Sequence, residues 1–311
     1  MTVVQTRSEP ANHGSSVAYL GPPASYSHQA TTSLFPGKEW SLVPTATIKG
    51  VFDMVQSGNA AYGVIPFENS THGVVTFTLD SLGDRAGEFA DVSVCGEVYL
   101  DVQHFLLGRR DPTANDPNSL AHIRHVYSHP QAFGQTQGFT STRLAHAELV
   151  DVSSTSRGAE MAAADASRTS AAVASEMAAA ATGLDILARS IQDRGDNTTR
   201  FLVLRRGRPS VARQDASFAV AAAAATKSLV SFTVPHRCPG ALAEVLQCFQ
   251  RHGLDLTSIN SLPSLIQPFQ YLFFVEFEAA DRAESSIAVV LEDVARVAQS
   301  SRWLGSWGSK R

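Results

Sequence analysis

Cysteine is scarce, with three residues in 311, and Cys95, Cys238 and Cys248 form neither a CxxC pair nor a cluster with histidines. That excludes a disulfide framework and gives no zinc site, so the thiols read as buried or inert. No run approaches the ~18 apolar residues of a membrane helix, and the first sixteen residues lack the apolar core of a signal peptide. A cytoplasmic location is expected, with residues 1–16 as a loose tail. Positive charge is not in excess either: the net charge is −4, which removes the general reason to expect nucleic acid or a membrane surface as partner. No GxGxxG, Walker loop, HExxH or GxSxG occurs, which argues against nucleotide cofactors, zincins and serine hydrolases. No cofactor and no metal are expected.

What is present is enough apolar sequence, 44%, to fill cores in a chain longer than the roughly 100–200 residues of one domain. Val17-Ala18-Tyr19-Leu20 reads as a strand ended by Gly21-Pro22-Pro23, and Ser25 or Ser27 then caps a helix. Ile48, Val51, Phe52 and Val55 recur at helical spacing before Gly58. Ala61 to Pro66 is the next strand, and Val98 to Leu107 reads as a longer one that crosses between two lobes. Strands at His125–Tyr127, Glu148–Val152 and Ser170–Ala174 then alternate with polar turns and alanine-rich helices. This order predicts an α/β layer with a largely parallel sheet and a two-lobed domain with a cleft.

Residues 207–227 are expected to be a linker, with a loose helical turn at Ala219–Ala225. The cluster Arg205-Arg206-Gly207-Arg208-Pro209 at its start is read as solvated linker rather than as a nucleic-acid patch. From residue 228 to 311 a compact unit follows. Val230, Phe232 and Val234 alternate as a strand, Leu242, Val245, Leu246 and Phe249 form a helical stripe, and two further strands, another stripe and a short strand near Trp303-Leu304 complete βαββαβ, a ferredoxin-like sandwich. Its edges and helix faces suit pairing with a second copy.

Four polar turns, at Ser25–His28, Glu68–Gly73, Ser128–Gln131 and Ser153–Ser156, each follow a strand and precede a helix. There, helix N-termini offer free N–H groups to anions. Rich in Ser and Thr, they point to a small anionic ligand held by amides and hydroxyls. Asn197-Thr198-Thr199-Arg200-Phe201 places two hydroxyls and a guanidinium at the front of another apolar strand.

Gly21 to Ala30, Val64-Ile65-Pro66-Phe67-Glu68-Asn69-Ser70, Ser128-His129-Pro130-Gln131-Ala132 and Asn197 to Phe201 occur in an order and spacing that resemble prephenate dehydratase over about residues 17–280. The segment from Ser228 resembles that family's regulatory ACT domain. The resemblance implies a catalytic domain over 17–206, similar to periplasmic-binding-protein folds, that converts prephenate to phenylpyruvate with loss of water and carbon dioxide. It also implies feedback control by phenylalanine and a homodimer or homotetramer. A monofunctional enzyme is expected, with no room before residue 17 for a chorismate mutase domain. Thr199 matches the family's essential threonine and is expected to hydrogen-bond the departing ring hydroxyl. Glu68, Asn69, Ser70, Ser128, Gln131, Ser154, Thr155, Arg200 and Phe201 form the candidate substrate site. For Arg200 two readings stand, pairing with a substrate carboxylate or holding the loop, with Glu68 as its possible structural partner, and His129 ranks below Thr199 as a proton donor. The family's effector turn is matched by Gly240, Ala241 and Leu242. Its Glu-Ser-Arg-Pro segment, supplied by a neighbouring chain, here reads Asn260-Ser261-Leu262-Pro263, which lacks both the Glu and the Arg that would hold an effector. Arogenate dehydratase and a non-catalytic solute sensor are the alternative functions.

Overall fold

The computed structural model describes residues 16–113, 116, 118–209, 225–279 and 284–309. Most of the expected tail, and the Ala219–Ala225 turn except its last residue, lie outside them. A first lobe carries β1 (Ser16–Leu20), α1 (Tyr26–Leu34), β2 (Ser41–Thr45), α2 (Ile48–Gln56), β3 (Tyr62–Asn69), the short β4 (Gly73–Val74), α3 (Thr76–Gly83) and β5 (Val92–Asp101). The chain then passes to a second lobe: β6 (Phe105–Gly108), β7 (His125–Ser128), α4 (Pro130–Gly134), α5 (Gln137–Arg143), β8 (Glu148–Asp151), α6 (Thr155–Ala164), β9 (Ser170–Ala174), α7 (Glu176–Thr182) and β10 (Asp185–Ala188). It returns through β11 (Thr198–Arg206) to the first lobe.

The two crossings, residues 102–104 and 189–197, are tied together by hydrogen bonds from Val102 N to Asn197 O and from Ile191 N to His104 O. The apolar run Val98–Leu107 is therefore two strands in two sheets. The expected parallel sheet is mixed: β1 pairs β2 and β3 in parallel, whereas β11 runs antiparallel to both β3 and β5. In the second lobe β7 is parallel to β8 and β9, and β6 is antiparallel to β9. The α2 stripe Ile48, Val51, Phe52 and Val55 is buried as its spacing predicts. Gly158 lets α6 lie close on β7, because a Cβ there would meet Tyr127 O at 2.7 Å.

The C-terminal unit is β12 (Thr226–Thr233), α8 (Ala241–Arg251), β13 (Asp255–Pro263), β14 (Tyr271–Ala279), α9 (Glu284–Val297) and β15 (Ser300–Gly308), the βαββαβ order. Its antiparallel sheet, ordered β13-β14-β12-β15, continues into the first lobe through one parallel pairing, Gly305 with Val94. One face packs on α8 and α9. The other shares a core with the first lobe, where Leu229, Leu272, Phe274, Leu304 and Trp307 meet Phe52, Leu79, Leu82 and Phe89. Two apolar faces explain why β12 is buried at every position.

Candidate active site

Thr199 stands second in β11, half-buried, directly opposite Asn69 at the end of β3. Asn69 Oδ1 accepts from Thr71 N, His72 N and Thr71 Oγ1 at 2.6–3.1 Å. With its oxygen so engaged, the amide nitrogen faces the other way and donates to Thr199 Oγ1 at 2.9 Å and to Asn197 Oδ1 at 2.8 Å. Thr199 Oγ1 is thus an acceptor toward the protein, and its own proton has no acceptor among the described residues. The neighbouring Thr198 differs: its hydroxyl donates to Asp101 Oδ1 at 2.7 Å. Ser70 clamps the same segment, accepting from Thr198 N and donating to Asp196 O. The segments 68–73 and 196–199 therefore form one hydrogen-bonded unit at the lobe junction.

Three participants were missed by sequence reasoning. Gln135, which caps α4 in the second lobe, accepts from Asn197 Nδ2 at 2.9 Å and contacts His72 Nδ1 at 3.2 Å. His104 meets Gln135 Oε1 through Nε2 at 2.6 Å and Tyr26 OH through Nδ1 at 2.8 Å. The bridge Tyr26–His104–Gln135–Asn197 thus ties the first lobe to the second beside Thr199. Gln135 carried one usable signal, its place a helical turn after Gln131. His104 and Tyr26 carried none, since their approach depends on the crossing.

Burial depresses the His104 pKa, against the opposing hydrogen bond to Gln135, and burial likewise depresses those of His28 and His129. The unfolded chain then binds more protons just below a pH of about 6.5, so stability falls as pH drops through that value. A melting series from neutral to mildly acid pH should show the decline. His104→Gln should flatten it, and an unchanged slope would remove His104 as a source.

The other expected residues are scattered. Ser128 is buried, and its hydroxyl donates to Val173 O at 2.6 Å. Phe201 packs in the first-lobe core with Val17, Tyr19 and Val98. Gln131 is exposed at the start of α4, where His129 acts as a cap, accepting from Gln131 N. Ser154 caps α6 by accepting from Arg157 N, and Thr155 is buried behind it. Ser153 and Ser154 face Leu20, Gly21, Pro22 and Thr45 across a cavity of about 590 Å³ between the lobes, which Thr199 does not line. Cys238, read as buried or inert, is exposed.

Arg200 requires the plainest correction as a ligand for substrate. Strand alternation turns it to the face opposite Thr199, where it is buried between two carboxylates. Its Nε donates to Glu97 Oε2 at 2.8 Å, and its terminal nitrogens bind Glu276 of β14, while Glu68 is only at 4.0 Å. Burial alone would lower its pKa; Glu276 and Glu97 outweigh that and hold the guanidinium charged, above its ordinary value. Lys227 joins the cluster at 3.5 Å from Glu97 and 3.1 Å from Tyr99 OH.

Gly240, Ala241 and Leu242, at the start of α8, line a cavity of about 490 Å³ with His236, Phe269 and Tyr271. Asn260 and Ser261 do not line it. They lie on β13, an edge strand, where the Asn260 amide donates to Ser258 Oγ.

The profile of the family described as prephenate dehydratase matches residues 17–209. A bifunctional chorismate mutase/prephenate dehydratase of Aquifex aeolicus is 36% identical over 291 residues, spanning 94% of this chain and 73% of that protein. The crystal structure of prephenate dehydratase in complex with L-Phe from Arthrobacter aurescens superposes with a TM-score of 0.79 at 27% identity, covering 94% of this chain and 90% of the other. A structure described as GqqA, a quorum-quenching acylase, gives 0.77 at 26% identity, covering 95% and 98%. The family profile spans most of the chain and the Aquifex relative exceeds one-third identity, so the chain belongs to the prephenate dehydratase family.

Proposed function

We propose that this chain is a carbon–oxygen lyase that converts prephenate to phenylpyruvate, with residues 17–206 as the catalytic part and 228–311 as an ACT regulatory part. The observation that carries this reading is the Thr199 hydroxyl, held by Asn69 through its oxygen so that its proton is free to donate. Decarboxylation with loss of the ring hydroxyl is driven by aromatisation, so the enzyme has to supply a hydrogen bond to the leaving oxygen and donors for two carboxylates, and no electron carrier. The hydroxyl supplies the first. Amides at the helix N-termini of the polar turns are the proposed donors of the second kind. A threonine hydroxyl is a poor acid, so hydrogen bonding rather than full proton transfer is assigned to it.

Phenylalanine is proposed as effector, supported by the βαββαβ unit, the cavity at Gly240–Leu242 and the L-Phe complex of the Arthrobacter protein. Because Asn260 and Ser261 sit on an edge strand, away from that cavity within one chain, a dimer or tetramer is part of the proposal, as is a cytoplasmic location. Calorimetric titration with phenylalanine and tyrosine tests the effector, and no heat with either would sink it.

The GqqA likeness means that the fold alone does not select the reaction. Offering prephenate, arogenate and an acyl amide in parallel tests the proposal: phenylpyruvate formed fastest from prephenate is expected. A preference for arogenate would move the assignment to the amino-acid substrate, and turnover of the amide alone would overturn the proposal.

A further inference from the structure

We propose that Glu276, on the C-terminal unit, is a positioning residue for Thr199 and acts on it through Arg200. The inference rests on the reading of Thr199 given above. Along β11 and β3 the pairs from Phe201–Pro66 to Arg205–Tyr62 keep one register, but a bulge intervenes before Arg200–Glu68 and Thr199–Asn69. Phe67 is the extra residue, so the two pairs that set the Thr199–Asn69 contact are offset from the regular ladder. A bulge leaves local pairing disrupted and bends the strand, so on this side the end of β11 rests on side-chain contacts in addition to its pairing with β5 and the Ser70 clamp. The Arg200 side chain fixes it from the opposite face. It is buried, lies over the rings of Phe67 and Tyr99, and is gripped by Glu97 and Glu276.

The charges are divided between the two parts of the chain. Glu97 and Arg200 come from the first lobe, Lys227 and Glu276 from the C-terminal unit, and the contacts cross over: Arg200 binds Glu276, and Lys227 approaches Glu97. The Glu276 side chain is 1% exposed, and its Oε1 accepts from Thr257 Oγ1 at 2.6 Å. Thr257 lies on β13, the strand of Asn260 and Ser261. One carboxylate thus joins the strand proposed to meet an effector to the residue next to Thr199. A shift of that carboxylate would act first on the bulged pairs.

The test measures kcat and KM per folded enzyme for Glu276→Gln, Glu276→Asp and Arg302→Gln, each alone, and for Glu276→Gln in a Thr199→Ala background. Arg302 is the comparator because it also joins the two parts, binding Asp84, Phe89 O and Val92 O, but does not touch Arg200. Glu276→Gln should lower kcat about ten-fold, the size of one lost charge-assisted contact, and change KM less than about three-fold, with Glu276→Asp intermediate. Arg302→Gln should lower the melting temperature but leave kcat within about two-fold. In the Thr199→Ala background Glu276→Gln should add less than about two-fold. A kcat unchanged by Glu276→Gln, equal losses from Arg302→Gln, or the same ten-fold loss in both backgrounds would overturn the proposal. Full activity of Thr199→Ala alone would instead overturn the reading of Thr199, and this inference with it. Should Glu276→Gln not fold, Glu276→Asp carries the same comparison.

Discussion

Replacing Thr199 by alanine is expected to cut kcat by about 10²- to 10⁴-fold, the range for losing a positioned donor at a developing charge. The expectation comes from which atom does what. Asn69 has its oxygen saturated by three donors of the 71–72 turn, so its nitrogen must face Thr199 and occupies a lone pair of Oγ1. The hydroxyl proton is left to act outward, beside one remaining lone pair. Thr198 cannot substitute, because its proton is committed to Asp101. Thr199→Val keeps the shape and loses the hydroxyl, so it should resemble alanine. Thr199→Ser keeps the hydroxyl with a freer χ1 and should fall within about ten-fold of the native enzyme. Steady-state turnover of prephenate beside thermal melts checks this, and unchanged turnover in folded Thr199→Ala would remove Thr199 from the mechanism.

The regular elements were legible where one periodicity met one environment. The α2 stripe and the βαββαβ order of the C-terminal unit could be read in this way, since each element buries a single defined face. Val98–Leu107 could not be divided, because both sheets ask for apolar residues and the turn between them, centred on residues 102–104, also buries Val102 and His104. Around Thr199 the resemblance supplied Asn69 and Ser70 as site candidates, but the link from Asn69 to Asn197 came only with the fold. It could not show that Arg200 would be consumed by Glu276, 76 residues away, although strand alternation already set Arg200 on the face opposite Thr199. The bridge through His104 and Gln135 was hidden for a related reason: it forms only once two separate crossings lie side by side.

The same dependence on distant contacts makes Gly305 the most sensitive backbone position of the sheet junction. Its φ of +154° is one that side chains rarely adopt, and a Cβ would meet Val94 O at 2.0 Å and Val94 C at 2.8 Å. Those atoms are backbone of the neighbouring strand β5, so the clash cannot be relieved by a rotamer. β15 would have to leave its single pairing with β5, and the same strand carries Arg302, Leu304 and Trp307 into the contact with the first lobe. Gly305→Ala should therefore cost about 2–6 kcal/mol, combining backbone strain with overpacking. Out of a typical stability of about 5–15 kcal/mol, that is a large share. Gly253→Ala is the matched control: its φ is also positive, at +65°, but no atom lies within 4 Å of the added methyl, so it should cost only about 1 kcal/mol. Denaturant unfolding of both variants, followed by the summed emission of the three tryptophans, separates the two causes. Equal losses would mean that left-handed backbone, and not the close approach to Val94, makes glycine necessary at 305.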